Sequence, residues 1–303
     1  MIDLHMHTNC SDGSDDPIEL LKKAEVKKLS IISITDHNTV EAYKIIENIN
    51  LKEFYKGRII PGIELNTKIL GIPIEILGYG IDYKKVAIEL PKIFIGSRER
   101  NITETKRLYE KCLKAGIKFE ENCLDRYDPE SFASKFIKSE LMKFEENKNI
   151  ISEDAWNDTR IFYRKYMSNP ECPLYVEMDD LVPEFDVVAN LIKNAGGLVF
   201  LPHIFEYREN SMKILTFILD NYKIDGIECF YTTFSDEQKN ELLKICREKN
   251  LYISGGSDYH GSNKVGVEMG TGIGNLLVAD TVIEEWKDKV STYWRKTWHN
   301  TTI

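Results

Sequence analysis

The chain has 303 residues, 42% of them hydrophobic, with 49 acidic against 40 basic side chains and a formal charge of −9. That length holds one large domain, or one domain with an insertion. No run of about eighteen apolar residues is present to span a membrane, and no basic stripe marks a long nucleic acid as a partner.

The chain opens on MIDLHMH, where Ile2, Leu4 and Met6 alternate with Asp3, His5 and His7. A period of two belongs to a strand, so both imidazoles leave one face and can reach a single metal ion. Two ordinary surface histidines are the competing reading of this stretch alone. No basic stretch with an apolar run precedes the strand, so no signal peptide is expected and a cytoplasmic location follows. TNCSDGSDDP then reads as a loop. Asp16-Pro17 opens a helix, the aspartate as cap and the proline in the first turn. Ile18, Leu20, Leu21, Ala24 and Val26 give that helix a core-facing side. SIISIT is a short buried strand, followed by a helix from Thr39 to Ile49. RIIPGIEL reads as the third strand and IPIEILGYGI as the fourth, with a turn at Leu70-Gly71.

The alternation resumes after residue 183. Helices near 184–194, 210–221 and 235–250 lead into the strands GLVFLP, GIECF and LYISGG. About seven strands alternating with helices predict an α/β fold with a parallel sheet. The expected architecture is a distorted (β/α)7 barrel with a helical insertion, its working residues at the C-terminal strand ends. The segment between, from about Arg98 to Pro183, is rich in Lys, Glu and Asn and shows no strand pattern. The expected division is residues 1–97 and 184–303 for the barrel and 98–183 for a helical insert covering its mouth. Phe132, Phe136, Trp156, Phe162, Tyr163 and Tyr166 would form that insert's own small core. The stretch from Trp286 onward reads as a terminal amphipathic helix.

Five of the six histidines close apolar, strand-like runs: His5, His7, His37, His203 and His260. Glu64, Glu75 and Asp258 occupy comparable places. Imidazoles and carboxylates gathered from several segments are what a site for several cations requires. The six cysteines form no CxxC pair and read as reduced, mostly packing thiols. GVEMGTGIG lacks the strand-then-helix context of a phosphate loop and reads as a plain loop.

The segments DLHMHTNCSDG, ITDHNT, PGIE, EILGYGID, GGLVFLPH, DGIECFY and GGSDYHG, in that order, resemble the polymerase and histidinol phosphatase (PHP) metal-dependent phosphoesterases. The likeness is greatest to the subgroup with a helical insert after the fourth strand, which contains small-nucleotide and nucleoside-bisphosphate phosphatases. It implies that His5, His7 and Asp258 hold a first metal and that Glu64 bridges to a second, served by His203. Asp12, His37 and His260 would hold a third. Glu64, Asp258 and His203 are thereby the implied catalytic set, and Asp36 the implied partner that orients an imidazole. Glu75 stands where the family usually has histidine, which shifts the second site from zinc toward manganese, magnesium or iron. PESFASK replaces an Arg/Pro-His pair common in the family's insert.

The expected cofactors are two or three divalent ions, manganese, iron or zinc. The expected reaction is hydrolysis of a small phosphate monoester by a hydroxide held between metals. The charge for binding phosphate is assigned first to Arg208, with Arg98 and Arg100 next and Arg126, Arg160 and Arg164 behind them. Tyr231 and Tyr259 lie beside strand ends and read as core or rim packing. Two alternatives remain open on sequence: a C–N hydrolase of amidohydrolase type, and a metal-binding module without turnover. The oligomeric state is not legible.

Overall fold

A computed structural model describes residues 1–290. The terminal helix expected from Trp286 lies, beyond residue 290, outside the described residues, as does His299. By internal contacts the chain divides into two compact units: Met1–Ile93 joined by the chain from Val182 onward, and Phe94–Leu181.

The first unit is α/β. Strands β1 (Ile2–Asp3), β2 (Ile31–Ile32) and β3 (Arg58–Ile59) form a parallel sheet in that order. Strands β4 (Gly62–Ile69), β5 (Ile72–Tyr79), β6 (Leu198–Leu201), β7 (Gly226–Tyr231) and β8 (Tyr252–Gly256) form a second sheet, also in chain order. Eight strands thus replace the expected seven. Pro61 divides RIIPGIEL into β3 and β4, because proline has no amide to give a ladder. The sheet is also not wholly parallel: β5 runs antiparallel to both β4 and β6. The two-residue turn Leu70-Gly71, with φ of 54° and 74°, is the left-handed pair that matches hairpin twist. Backbone bridges join the two sheets on both sides. Met6 pairs with Tyr259 and the Leu4 amide donates to the Gly255 carbonyl, while His37 pairs with Glu64.

Helices α1 (Pro17–Val26) and α2 (Glu41–Ile46) link the first strands. The Asp16 carboxylate accepts from the amides of Ile18 and Glu19, capping α1 as the sequence suggests. Helix α3 (Tyr83–Ile93) was not expected; Pro91 in its last turn disguises it. One core of this unit gathers Ile2, Leu4, Leu77, Tyr79, Phe200, Val278 and Trp286, all fully buried. Trp286 lies 5.5 Å from Tyr79 and 5.1 Å from Phe200 between ring centroids, and its indole N–H donates to the Ile253 carbonyl at 2.9 Å.

The second unit contains helices and turns only. Its α-helices are α4 (Ser97–Lys114), α5 (Ala133–Leu141), α6 (Glu153–Asn157) and α7 (Thr159–Phe162). Leu108, Cys112, Ile137, Leu141, Trp156 and Phe162 form its core. Phe132 and Tyr163 are exposed rather than part of it. Buried Asn147 ties the unit together, its amide donating to the carbonyls of Lys118 and Leu141 and accepting from the Lys118 amide. Back in the first unit, α8 (Phe185–Asn194), α9 (Ser211–Asn221) and α10 (Asp236–Lys249) alternate with β6, β7 and β8. A Ser235–Gln238 capping box starts α10.

Candidate metal centre

The first strand ends early, at Asp3, but its alternation continues through the Met6 bridge. Ile2, Leu4 and Met6 are fully buried on one side, and His5 and His7 share the other with ring centroids 5.2 Å apart. Gly256 makes this approach possible. A Cβ there would fall 2.4 Å from the His5 amide nitrogen and Cβ, so only glycine lets β8 lie against His5.

Glu64 is the hub, 1% exposed where β4 pairs with His37 in the segment that follows β2. Its Oε1 faces His203 Nε2 at 2.9 Å. Its Oε2 faces His5 Nε2 at 3.1 Å, His7 Nε2 at 3.2 Å and His37 Nδ1 at 3.5 Å. Asp258 Oδ1 faces His7 at 3.2 Å, His260 at 3.4 Å and His5 at 3.5 Å. Glu75 lies 3.4 Å from His203 and 3.6 Å from His37. Asp12 lies 3.2 Å from His260 and 3.7 Å from both His7 and His37. All nine side chains named as metal ligands from the sequence therefore meet in one place. His203 (φ 24°) and Asp258 (φ 55°) hold left-handed backbone, and so does Asn38 beside His37. Non-glycine residues in that region cost about 1–3 kcal/mol each, and such strain gathers where side chains must be aimed.

The charges reinforce one another. Burial alone would depress the His7 imidazole, but hydrogen bonding and charge from Asp258 and Glu64 override it and lift it to about 9. His203 is raised to about 9 as well, with Glu64 and Glu75 outweighing burial. Burial would raise Glu64, yet the His5 charge and bonds to His203, His5 and His7 hold it well below the usual carboxylate range. Burial and the neighbouring Glu64 charge push Glu75 up to about 7.

The donor set fits divalent cations. Both ring nitrogens of His7 are buried and lack an aligned hydrogen bond, although Nε2 lies 3.2 Å from two carboxylate oxygens. His37 Nδ1 and His203 Nδ1 are likewise buried without a hydrogen bond. Three groups have donor atoms within 4.8 Å of one another: His5, His7, Glu64 and Asp258; His7, Asp12, His37 and His260; and His37, Glu64 and Glu75. Imidazole nitrogens and carboxylate oxygens from separate segments are the ligands that zinc, iron and manganese accept.

Glu228 was missed by sequence reasoning. Its Oε1 accepts from His5 Nδ1 at 3.0 Å and its Oε2 from the His203 amide at 2.9 Å. A bulge at Cys229 in β7 sets its direction. A carboxylate inside the apolar run GIECF was the available signal, since such a group is buried only with partners. Asp36 does not orient an imidazole. It accepts from the Thr8 amide and hydroxyl, both at 2.6 Å, and from the Ser11 hydroxyl at 2.8 Å. Its work is to pin the loop that carries Asp12. Tyr231 donates to Asp258 Oδ2 at 2.8 Å, and Lys264 pairs with the same oxygen. Of the nominated arginines, Arg208 is exposed in the first unit, with no polar partner for its guanidinium among the described residues. Arg98 and Arg100 lie on α4 in the second unit, where Arg98 pairs with Glu130 at 3.5 Å. All six cysteines are free thiols. Among the described residues no helix is long and apolar enough to cross a membrane.

The PHP domain family matches residues 3–120 of the chain. The chain is 26% identical over 292 residues to a 5'-3' exoribonuclease of Haemophilus influenzae, covering 94% of this chain and 97% of that protein. It is 25% identical over 276 residues to a 3',5'-nucleoside bisphosphate phosphatase of Chromobacterium violaceum, covering 89% and 90% respectively. Among solved structures, an amidohydrolase from Chromobacterium violaceum with bound sulfate matches the fold with a TM-score of 0.62 at 20% identity, over 96% of both chains.

Proposed function

Because the PHP domain family matches residues 3–120 of the chain, we propose that it is a metal-dependent phosphoesterase hydrolysing a small phosphate monoester, a nucleotide or nucleoside bisphosphate. The observation that supports this best is the Glu64 carboxylate, with His203 on one oxygen and His5, His7 and His37 on the other. That is the arrangement a bridging ligand needs. On this reading His5, His7 and Asp258 hold one cation, His203 and Glu75 a second, and Asp12, His37 and His260 a third. Divalent cations held there neutralise phosphoryl oxygens and make hydroxide available near neutral pH. The protein's share is to fix the ligands, keep the imidazoles neutral when loaded and exclude competing bases. Glu75 in place of an imidazole favours manganese or iron over zinc. The same reading closes the two bridged sheets into a distorted barrel over residues 1–97 and 184–303, with 98–183 as a helical insert.

The test is His7→Ala, assayed for bound metal and for hydrolysis of an aryl phosphate with manganese. Loss of both is expected. Full activity in that variant overturns the metal mechanism. Metal binding by the unaltered protein with no turnover of any phosphate ester would favour the inert module instead, and turnover of amides alone the C–N hydrolase.

The Haemophilus relative favours a second reading, removal of nucleotides from the 5′ end of a short RNA. Comparing a 3',5'-bisphosphate with a 5′-phosphorylated oligoribonucleotide of a few residues separates the two. The net charge of −9 disfavours a long duplex in either case.

A further inference from the structure

The nine ligand side chains leave one electrostatic problem. Four of them are carboxylates: Asp12, Glu64, Glu75 and Asp258. The three divalent cations of the reading above would outweigh those four charges only slightly, enough to balance a phosphate dianion and no more, so a further cation beside the centre would strengthen its hold. Glu75 sharpens the problem, since an imidazole at that position would bring no negative charge. Arg208, the nominated arginine of the first unit, makes no polar contact with these side chains among the described residues.

Lys264 does reach this place. It follows the short turn Gly261–Asn263, directly after His260. That turn is tied down on the other side of the site. The Ser262 amide donates to Ser14 Oγ at 2.8 Å, and the Asn263 side chain donates to the Asp12 carbonyl at 2.8 Å. The lysine therefore starts from backbone fixed to the loop that carries Asp12. Its Nζ meets Asp258 Oδ2 and lies 3.2 Å from the Tyr231 hydroxyl, 5.5 Å from that ring's centroid. Asp258 is thus divided: Oδ1 turns to His5, His7 and His260, and Oδ2 to Tyr231 and Lys264. An ammonium has three donors, and two have partners here. The side chain is 32% exposed, so an anion can approach it from solvent.

We infer that Lys264 is a substrate contact, donating to a phosphoryl oxygen at the centre where Asp258 holds its cation. This rests on the phosphoesterase reading above. Tyr231 keeps Asp258 Oδ2 satisfied when the ammonium turns toward an anion, so binding substrate does not strand the carboxylate. Lysine suits the role because its stem is flexible and its charge compact.

The experiment uses manganese-loaded full-length protein, the variants Lys264→Met and Lys264→Arg, and inorganic phosphate as the probe. Bound manganese, the affinity for phosphate and the steady-state constants for an aryl phosphate are all measured. Lys264→Met is expected to keep its metal, to bind phosphate about tenfold to a hundredfold more weakly, as loss of a charged hydrogen bond implies, and to show the defect mainly in KM. Lys264→Arg is expected to recover most of it. Unchanged phosphate affinity at full metal content overturns the inference. So does loss of metal with unchanged phosphate affinity per loaded site, since Lys264 would then only prop Asp258. If the unaltered protein binds neither manganese nor phosphate, the phosphoesterase reading itself fails, a result distinct from both.

Discussion

Replacing Glu228 by glutamine tests whether the candidate centre depends on a residue that touches no cation. The swap keeps shape and volume but removes a charge and turns one acceptor into a donor. In the structure one oxygen takes the proton of His5 Nδ1 at 3.0 Å and the other takes the His203 amide at 2.9 Å. Since His5 Nε2 faces Glu64, the ring must carry its proton on Nδ1 to be held this way. Glutamine can satisfy only one of the two donors, whichever way its amide turns. A hydrogen bond to a charged group is worth about 1.5–3 kcal/mol, and about 1.4 kcal/mol is a tenfold change in affinity. Manganese should therefore bind roughly tenfold to a hundredfold more weakly, as is typical of outer-shell partners. Competition with a chromogenic chelator measures this, and turnover at saturating manganese should fall less than affinity. Unchanged manganese affinity in Glu228→Gln, with the fold intact, refutes the assignment.

Metal loading should release protons. In the metal-free protein His7 and His203 both titrate near 9, so both are charged at pH 7.5, while ligands must be neutral. Titration calorimetry in buffers of different ionisation enthalpy should show proton release, and affinity should climb with pH until about 9. The same raised values stabilise the metal-free fold fully below about pH 6.5. That contribution is lost as pH rises through about 9, and thermal melts across the range read it directly. Gly256→Ala should displace His5, because the added carbon would sit 2.4 Å from its backbone nitrogen; weakened metal binding is the readout. Trp286→Ala should destabilise by about 3–5 kcal/mol through the cavity it leaves. Trp286→Phe should cost about 1–3 kcal/mol, since the Ile253 carbonyl loses its donor; denaturant melts distinguish the two.

The cluster of candidate ligands was legible because its chemistry is written locally. The HxH spacing and the histidines closing apolar runs carry that signature, and the acid at Glu64 stands out within an otherwise apolar run. What failed to show was direction and partnership. Nothing in IPIEILGY says that β5 runs against its neighbours; only the hairpin at Leu70-Gly71 decides it. Glu228 looked like one acid in a strand, and its value lies in two donors brought from residues 5 and 203. Asp36 was read as an imidazole partner, whereas folding places Thr8 and Ser11 on its oxygens first. Lys264 carries no pattern at all, because its position depends on a loop anchored to Ser14 and Asp12.

The oxygens of Glu64 join histidines that lie on segments from residue 5 to residue 203, and Asp258 extends the set to residue 260. An ion seated among them acts as a staple across nearly the whole of the first unit's sequence. The unfolded chain offers no such pocket, so occupancy adds to conformational stability by mass action, about 4 kcal/mol at a thousandfold excess over the dissociation constant. Chelation should accordingly lower the melting temperature of the α/β unit as a whole, and a protein purified in EDTA should be the more readily proteolysed. Resistance to heat and protease thus becomes a gauge of occupancy that requires no substrate.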